Sequence, residues 1–250
     1  MGVDRTNLKP WSKATRPDDI KPGAVHVWQT SWDIESKPVG RFQDLLPPEE
    51  QARSVRYCFK EDRYRYIVGR GMLRTILAHF LRCRPLEVRF KYLENGKPVL
   101  SDDLAEMSGL SFNLAHSRQV VVCAVTRSLP VGVDVEYMRE HIDQEAIARR
   151  FFSADETAAL FAAPDMHRLA LFYRFWACKE AYIKATGQGL SQLGDVEIVL
   201  SSAHSMTFAS LPGWSLYEFC PSSGYAAAVA VQGQGHSICH WHYPIPISWH

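Results

Sequence analysis

Phe-Tyr-Arg-Phe-Trp-Ala-Cys-Lys-Glu-Ala-Tyr-Ile-Lys-Ala-Thr-Gly-Gln-Gly-Leu, residues 172–190, decides how the chain is organised. This run predicts the last turns of a helix that begins near Asp165 and ends at Gly187, because glycine adopts the left-handed C-cap conformation without strain. Residues four apart share one face of a helix, so Trp176, Glu180 and Lys184 lie in a single stripe. Taken alone, the stripe indicates a partly buried helix on which Glu180 and Lys184 form an ordinary i,i+4 ion pair.

A second stretch, Val-Gly-Val-Asp-Val-Glu at 131–136, gives the stripe another meaning. Its apolar–polar alternation predicts a strand on which Asp134 and Glu136 point the same way while the valines face the core. Neighbouring carboxylates repel each other, and a half-buried pair needs a cation. The pair either faces water at a strand end or forms a hard-metal site. In the second case Glu180 adds a carboxylate and Lys184 meets a phosphate.

Together the two stretches resemble the paired signature of the 4′-phosphopantetheinyl transferases, Gly-x-Asp-x-Glu followed by Trp-x-x-Lys-Glu-Ala-x-x-Lys. Asn-Gly-Lys-Pro at 95–98 and Phe-Asn-Leu-Ala-His-Ser at 112–117 are similar to two further motifs of that family. The resemblance runs from about Leu46 to Leu200. It is closest to the larger single-chain enzymes of the surfactin-synthetase-activating type, rather than to the short trimeric holo-acyl-carrier-protein synthases.

The resemblance implies an enzyme that moves 4′-phosphopantetheine from coenzyme A to a serine of an apo acyl or peptidyl carrier protein and releases adenosine 3′,5′-bisphosphate. It implies Mg2+, or Mn2+, on Asp134, Glu136 and Glu180 as the Lewis acid at the pyrophosphate. Glu180, directly or through a metal-bound water, is the expected catalytic base, and Lys184 the expected catalytic group at the leaving phosphate. Asp134 and Lys184 are also expected coenzyme A contacts, whereas Lys179 is expected to pack.

The same resemblance implies further coenzyme A contacts at the nucleotide and pyrophosphate end: Arg53, Arg65, Lys97, Pro98 and His116. Two positions depart from the family pattern. Glu50 stands where some relatives carry a lysine toward the 3′-phosphate, and Ala115 stands where many carry a serine. From the residues alone, the arginines of the helix predicted at 62–81 fit a solvated face equally well. Lys97 would then be an exposed turn lysine, and His116 a satisfied turn histidine.

The rest of the chain alternates strand and helix patterns, which indicates the α+β class. We predict a loop at 101–110, a strand from 110 that is interrupted at 115–117, and antiparallel strands near 196–200, 214–219, 225–231 and 237–243. The resemblance implies two similar, pseudo-duplicated subdomains, each a small antiparallel sheet with a long helix, and an active site between them. We expect an irregular N-terminal arm at 1–22. The N-terminal half for nucleotide and carrier contacts is expected at 23–127, and the C-terminal half with the metal site and catalytic helix at 128–250.

Composition weighs against the other classes of function. The net charge of +1 over 250 residues lacks the basic footprint of a nucleic-acid partner and argues against a metal-dependent phosphodiesterase or nuclease. No apolar run approaches the ~18 residues of a membrane span, so no membrane partner is expected. The six cysteines show no metal spacing and fit reduced thiols in a cytoplasmic protein, which we expect to be a monomer. A non-catalytic carrier-protein-binding module is the remaining alternative, but it would not need all three acids.

Overall fold

The structure, a computed structural model, describes residues 12–13, 19–31, 39–201 and 205–243. Its helices are α1 Val39–Gln43, α2 Pro48–Ser54, α3 Lys60–Leu81, α4 Asp102–Ser108, α5 Gln144–Phe151, α6 Ala154–Ala162 and α7 Asp165–Thr186. Its strands are β1 Ser12–Lys13, β2 Ala24–Ser31, β3 Phe90–Tyr92, β4 Pro98–Leu100, β5 Leu110–Ser117, β6 Val120–Arg127, β7 Val131–Tyr137, β8 Ile198–Leu200, β9 Met206–Phe208, β10 Trp214–Phe219, β11 Tyr225–Gln232 and β12 Ser237–His242. Most of the arm expected at 1–22 lies outside the described residues. Among the helices just given, none is both long and apolar enough to cross a membrane.

Two larger sheets, each covered by a long helix, build the body of the molecule, and β3-β4 and β8-β9 form two small two-stranded sheets. The first sheet has the order β1-β12-β2-β6-β5, and the second has the order β10-β11-β7. One face of the first sheet packs on α3 through residues such as Trp28, Met72 and Val121. The outer face of the second packs on α7 through Ala181 and Ala228. Valines of both sheets fill the space between them, so the layers run helix, sheet, sheet, helix.

The mixed α+β class is as expected, and the pseudo-duplication and the 127/128 boundary stay predictions. The direction of one strand differs from expectation. β12 pairs in parallel with β2, so the prediction of an antiparallel strand there is wrong. β12 belongs to the first sheet although it follows all strands of the second.

Two local predictions in the N-terminal half are also wrong. Residues 102–108 form α4 rather than a loop, with acids in its first turn and Gly109 in the left-handed conformation at its end. β5 continues through Ala115 and His116 to Ser117 without interruption, because each of these residues pairs with a residue of β6. The tight turn predicted at 95–96 is confirmed, with Gly96 at a φ of 81° between β3 and β4.

The helix predicted from 172–190 is confirmed as the C-terminal part of α7. It follows the Pro164 break, carries Asp165 in its first turn and ends where Gly187 has a φ of 75°. Buried residues lie on more than one face of this helix, since it is packed against the second sheet on one side and against α5 and α6 on the other.

Candidate active site

Strand β7 presents its acids to helix α7, as the alternation predicts. Val133 and Val135 are fully buried between the sheets, while Asp134 and Glu136 point to the opposite face. The Asp134 side chain is 3% exposed, and its Oδ1 lies 2.5 Å from the Lys184 ammonium. The ion pair of Lys184 is therefore with the strand, not the i,i+4 pair with Glu180 that the helix pattern alone suggests.

The carboxylates around Lys184 influence one another strongly. Burial, together with the charge of Asp134, raises the pKa of Glu136 to about 6. Burial raises the pKa of Glu180 to about 7, with Lys184 opposing the shift and the two strand acids adding to it. Burial opposes the charge of Lys184, yet the carboxylates of Asp134 and Glu180 hold its pKa above the ordinary value. The three acids and one lysine form a coupled charge cluster.

One oxygen of this cluster has no partner. Asp134 Oδ2 is buried and accepts no hydrogen bond in the described structure, although a buried carboxylate oxygen ordinarily needs one. In the part of the chain that the structure describes, no three Asp, Glu, His or Cys side chains already surround a common point as metal ligands would. The orphaned oxygen and the all-carboxylate chemistry nevertheless suit a hard divalent cation, which would supply the missing partner.

Gly132 sets the distance between β7 and α7. A Cβ at this position would lie 2.0 Å from the carbonyl oxygen of Ala181 and 2.4 Å from the amide nitrogen of Ala185. Only glycine permits so close an approach of two backbones. This glycine of the Gly-x-Asp-x-Glu motif therefore brings the strand acids within reach of Lys184.

The edge strands of the two sheets, β5 and β7, meet beside the cluster and are bridged by side chains. Asn113 Oδ1 accepts the Val133 N–H at 2.9 Å. The Ser117 hydroxyl accepts the Tyr137 N–H at 3.0 Å and donates to Glu136 Oε2 at 3.1 Å. The sequence analysis gave these two residues no role. Their signal was present, because residues four apart in a strand share one face, so these two polar side chains point the same way.

His116 stands on β5, paired with Val121 of β6. Its side chain keeps contact with solvent, but the protein around the ring removes part of its hydration. This desolvation, together with the positive charges of Arg65 and Lys184, holds the pKa of His116 below the ordinary value. Arg65 also forms an ion pair with Asp62 at 3.1 Å. Ala115 is buried between the sheets, so its side chain packs in the core.

Arg53 and Glu50 differ sharply in environment although they share α2. Arg53 is exposed, and its guanidinium lies 5.6 Å and 5.8 Å from the ring centroids of Tyr66 and Tyr92. Glu50 is buried and binds Arg70 and Arg74, with Oε2 at 2.8 Å from Arg74 Nε. The sequence analysis considered a solvated face or ligand binding for the arginines of the helix predicted at 62–81. Arg70 and Arg74 do neither, because both are buried ion-pair partners of Glu50.

The two remaining expected contacts lie at the β3–β4 hairpin. Pro98 opens β4 opposite Tyr92. The Lys97 ammonium donates to the carbonyl oxygens of Lys184 and Ala185 at the end of α7, at 2.5 and 2.9 Å. Lys179 packs, as expected: it is fully buried and lies 2.8 Å from Glu156.

Comparison with known proteins identifies the family of this chain. The family model described as the 4′-phosphopantetheinyl transferase superfamily matches residues 130–230, and the model for the N-terminal part of 4′-phosphopantetheinyl transferases matches residues 30–128. The 4′-phosphopantetheinyl transferase HetI of Nostoc sp. is 43% identical over 222 residues, which cover 88% of this chain and 92% of HetI. The chain belongs to the 4′-phosphopantetheinyl transferase family. The 4′-phosphopantetheinyl transferase Sfp of Bacillus subtilis is 33% identical over 200 residues, 76% of this chain and 83% of Sfp.

Family membership makes the chain an enzyme of phosphopantetheine transfer to carrier proteins, of the larger Sfp-like type. The match to the superfamily model covers the whole of β7, α7 and most of β11, which carry the charge cluster. The N-terminal match covers α2, α3, the hairpin and β5. Both parts of this phosphopantetheinyl transferase therefore contribute side chains around the line where β5 and β7 meet.

Proposed function

We propose that the enzyme transfers 4′-phosphopantetheine from coenzyme A to a serine hydroxyl of an apo acyl or peptidyl carrier protein, with Mg2+ or Mn2+ at Asp134, Glu136 and Glu180. The supporting observation is the buried, unpartnered Oδ2 of Asp134 inside a cluster of carboxylates and one lysine. Mg2+ is commonly held by carboxylates together with substrate phosphates. When bound, the ion would neutralise the pyrophosphate and polarise its oxygens.

The reaction needs alignment and charge neutralisation more than covalent help. The serine oxygen attacks the phosphorus that carries pantetheine, and the pyrophosphate P–O bond to that phosphorus breaks. Adenosine 3′,5′-bisphosphate leaves with the bond's electron pair. The serine proton passes to Glu180.

Lys184 and the N-terminal half serve the leaving group. The Lys184 ammonium, which lies 2.5 Å from Asp134 Oδ1, would donate a hydrogen bond to the departing phosphate. His116 and Arg65, whose positive charge influences the His116 ring, would bind further pyrophosphate or 3′-phosphate oxygens. Arg53, stacked near Tyr66 and Tyr92, and the hairpin residues Lys97 and Pro98 would border the nucleotide.

The test is mass spectrometry of a panel of apo carrier proteins incubated with coenzyme A and Mg2+. The expected result is a carrier heavier by one phosphopantetheine group, and a chelator should abolish it. Asp134→Ala should remove both transfer and the heat of Mg2+ binding without coenzyme A. The control Glu106→Ala changes an exposed acid of α4 and should keep both. Degradation of nucleic acid without transfer would identify a nuclease instead, and carrier binding with neither metal affinity nor transfer would identify a binding module.

A further inference from the structure

The last turn of α7 exposes carbonyl groups that the helix itself cannot satisfy. A helix leaves its last four carbonyl oxygens without intrahelical partners. The left-handed Gly187 lets the N–H groups of Gly187 and Gln188 return to the Ile183 oxygen, at 3.0 and 3.1 Å. The carbonyl oxygens of Lys184, Ala185 and Gly187 lie beyond that cap and need donors from elsewhere.

The donors come from the turn between β3 and β4, residues 93–97, which we call the hairpin clasp. Lys97 Nζ donates to the Lys184 and Ala185 oxygens at 2.5 and 2.9 Å. Asn95 Nδ2 donates to the Gly187 oxygen at 2.6 Å. These contacts join segments about 90 residues apart, since the separations are 87, 88 and 92 positions.

The clasp is itself ordered by internal hydrogen bonds. Leu93 N–H donates to the Lys97 oxygen at 3.0 Å, and Gly96 N–H donates to the Leu93 oxygen at 2.8 Å. Asn95 Oδ1 accepts the Lys97 N–H at 3.1 Å, so both ends of the Asn95 amide group are used. An amide in this orientation can serve only as a donor toward Gly187.

The Lys97 charge suits the place it occupies. Its ammonium is partly buried against the negative end of the α7 dipole, where a cation is favoured. Burial lowers the pKa of Lys97 to about 8, which leaves the ammonium protonated at neutral pH with N–H donors for two carbonyls. The Lys97 ammonium therefore donates its hydrogen bonds to the catalytic helix, although the Lys97 backbone borders the expected nucleotide pocket.

We propose that Asn95 and Lys97 are positioning residues that hold the last turn of α7, and through it Lys184, in register with Asp134. The inference rests on the proposed function for its effect on rate. Lys184 is held at both ends, since its carbonyl oxygen binds Lys97 and its ammonium binds Asp134. Without the clasp the last turn frays, and the ammonium occupies its place on the strand for a smaller fraction of the time.

The experiment compares Asn95→Ala, Asn95→Asp, Lys97→Met and Lys97→Arg with wild type. We expect Lys97→Met to lower kcat about tenfold while KM for coenzyme A stays within about twofold, because a transition-state contact is weakened and ground-state binding is kept. Lys97→Arg should restore most of the rate, since a guanidinium also donates to carbonyls. Asn95→Asp should be slower than Asn95→Ala, because it sets a carboxylate against the Gly187 oxygen.

Lys91→Met is the matched control, since Lys91 lies on the same hairpin but is exposed and pairs with the exposed Asp102. It should leave kcat and KM unchanged. Amide hydrogen exchange at 183–188 should be faster in Asn95→Ala and Lys97→Met and normal in the control. A raised KM for coenzyme A with wild-type kcat would overturn the proposal and make Lys97 a nucleotide ligand. Normal exchange and normal kcat in both folded variants would overturn it as well. If wild type transferred nothing, the proposed function would fail, while the exchange rates would still test the clasp.

Discussion

Gly132→Ala tests whether the close approach of β7 and α7 sets the catalytic geometry. The added methyl would lie 2.0 Å from the Ala181 oxygen and 2.4 Å from the Ala185 nitrogen. Carbon–oxygen contacts below about 3 Å are not sustained, so the backbones must separate by roughly 1 Å. Both contacted atoms are backbone, which leaves no flexible side chain to move aside.

We expect Gly132→Ala to lower the transfer rate more than the free energy of unfolding. Overpacking of this kind costs about 1–3 kcal/mol of unfolding free energy, whereas a shift of about 1 Å at reacting groups can cost about 100-fold in rate. The 2.5 Å contact between Lys184 and Asp134 would open toward a length at which hydrogen bonds are weak.

Urea unfolding gives the free energy of unfolding, and single-turnover transfer to a carrier protein gives the rate. Both are measured on the same preparations. Gly69→Ala is the control: a Cβ there meets only side-chain atoms of Leu114 and Val121, at 3.4 and 3.8 Å. It should lose little stability and no rate. Wild-type turnover in folded Gly132→Ala would refute the reasoning, since the strand would then tolerate a displaced helix.

Three further outcomes follow from buried polar groups. Ser117→Ala should raise the Mg2+ concentration needed for half-maximal rate by about 10–100-fold, because Glu136 loses its hydroxyl donor, and Ser117→Thr should restore most of the effect; an unchanged metal requirement would show that Ser117 only packs. Glu50→Gln should cost about 3–5 kcal/mol in urea unfolding because it strands two buried guanidinium groups, and a loss under about 1 kcal/mol would contradict this ion-pair role. Burial lowers the pKa of His26 from 6.5 to about 4, so the folded state favours the neutral ring, and up to about 3 kcal/mol of stability present above pH 6.5 is lost as pH falls toward 4. His26→Phe should flatten that pH dependence of unfolding, and an unchanged slope would assign it to other groups.

The charge cluster was predictable because its signals are local. The 3.6-residue period of α7 and the two-residue period of β7 place Glu180, Lys184, Asp134 and Glu136 on defined faces before any tertiary contact is known. The partner of Lys184 was not predictable in this way. Its ion pair crosses from helix to strand, and only the packing through Gly132 decides that Asp134 is nearer than Glu180.

The errors and omissions elsewhere also have physical causes. Helix α4 is only seven residues long, too short for an apolar period to emerge from the sequence. The direction of β12 depends on pairing with β2 across the whole chain, which local propensity does not encode. The resemblance made Glu50 stand in place of a lysine toward the 3′-phosphate, and it gave no sign that this side chain is buried. Its burial follows from two arginines that lie 20 and 24 positions further along the chain.

The pairing of β12 with the first sheet has a consequence for how this enzyme folds during synthesis. β2 is buried at all but one of its residues, yet one of its two neighbours, β12, is the last strand of the described chain to be synthesised. Pairings of such long sequence separation form slowly, and until then the hydrogen-bonding edge of β2 lies open to other chains. We expect nascent chains to depend on chaperones until β12 emerges, and mature chains to unfold both sheets in one cooperative transition.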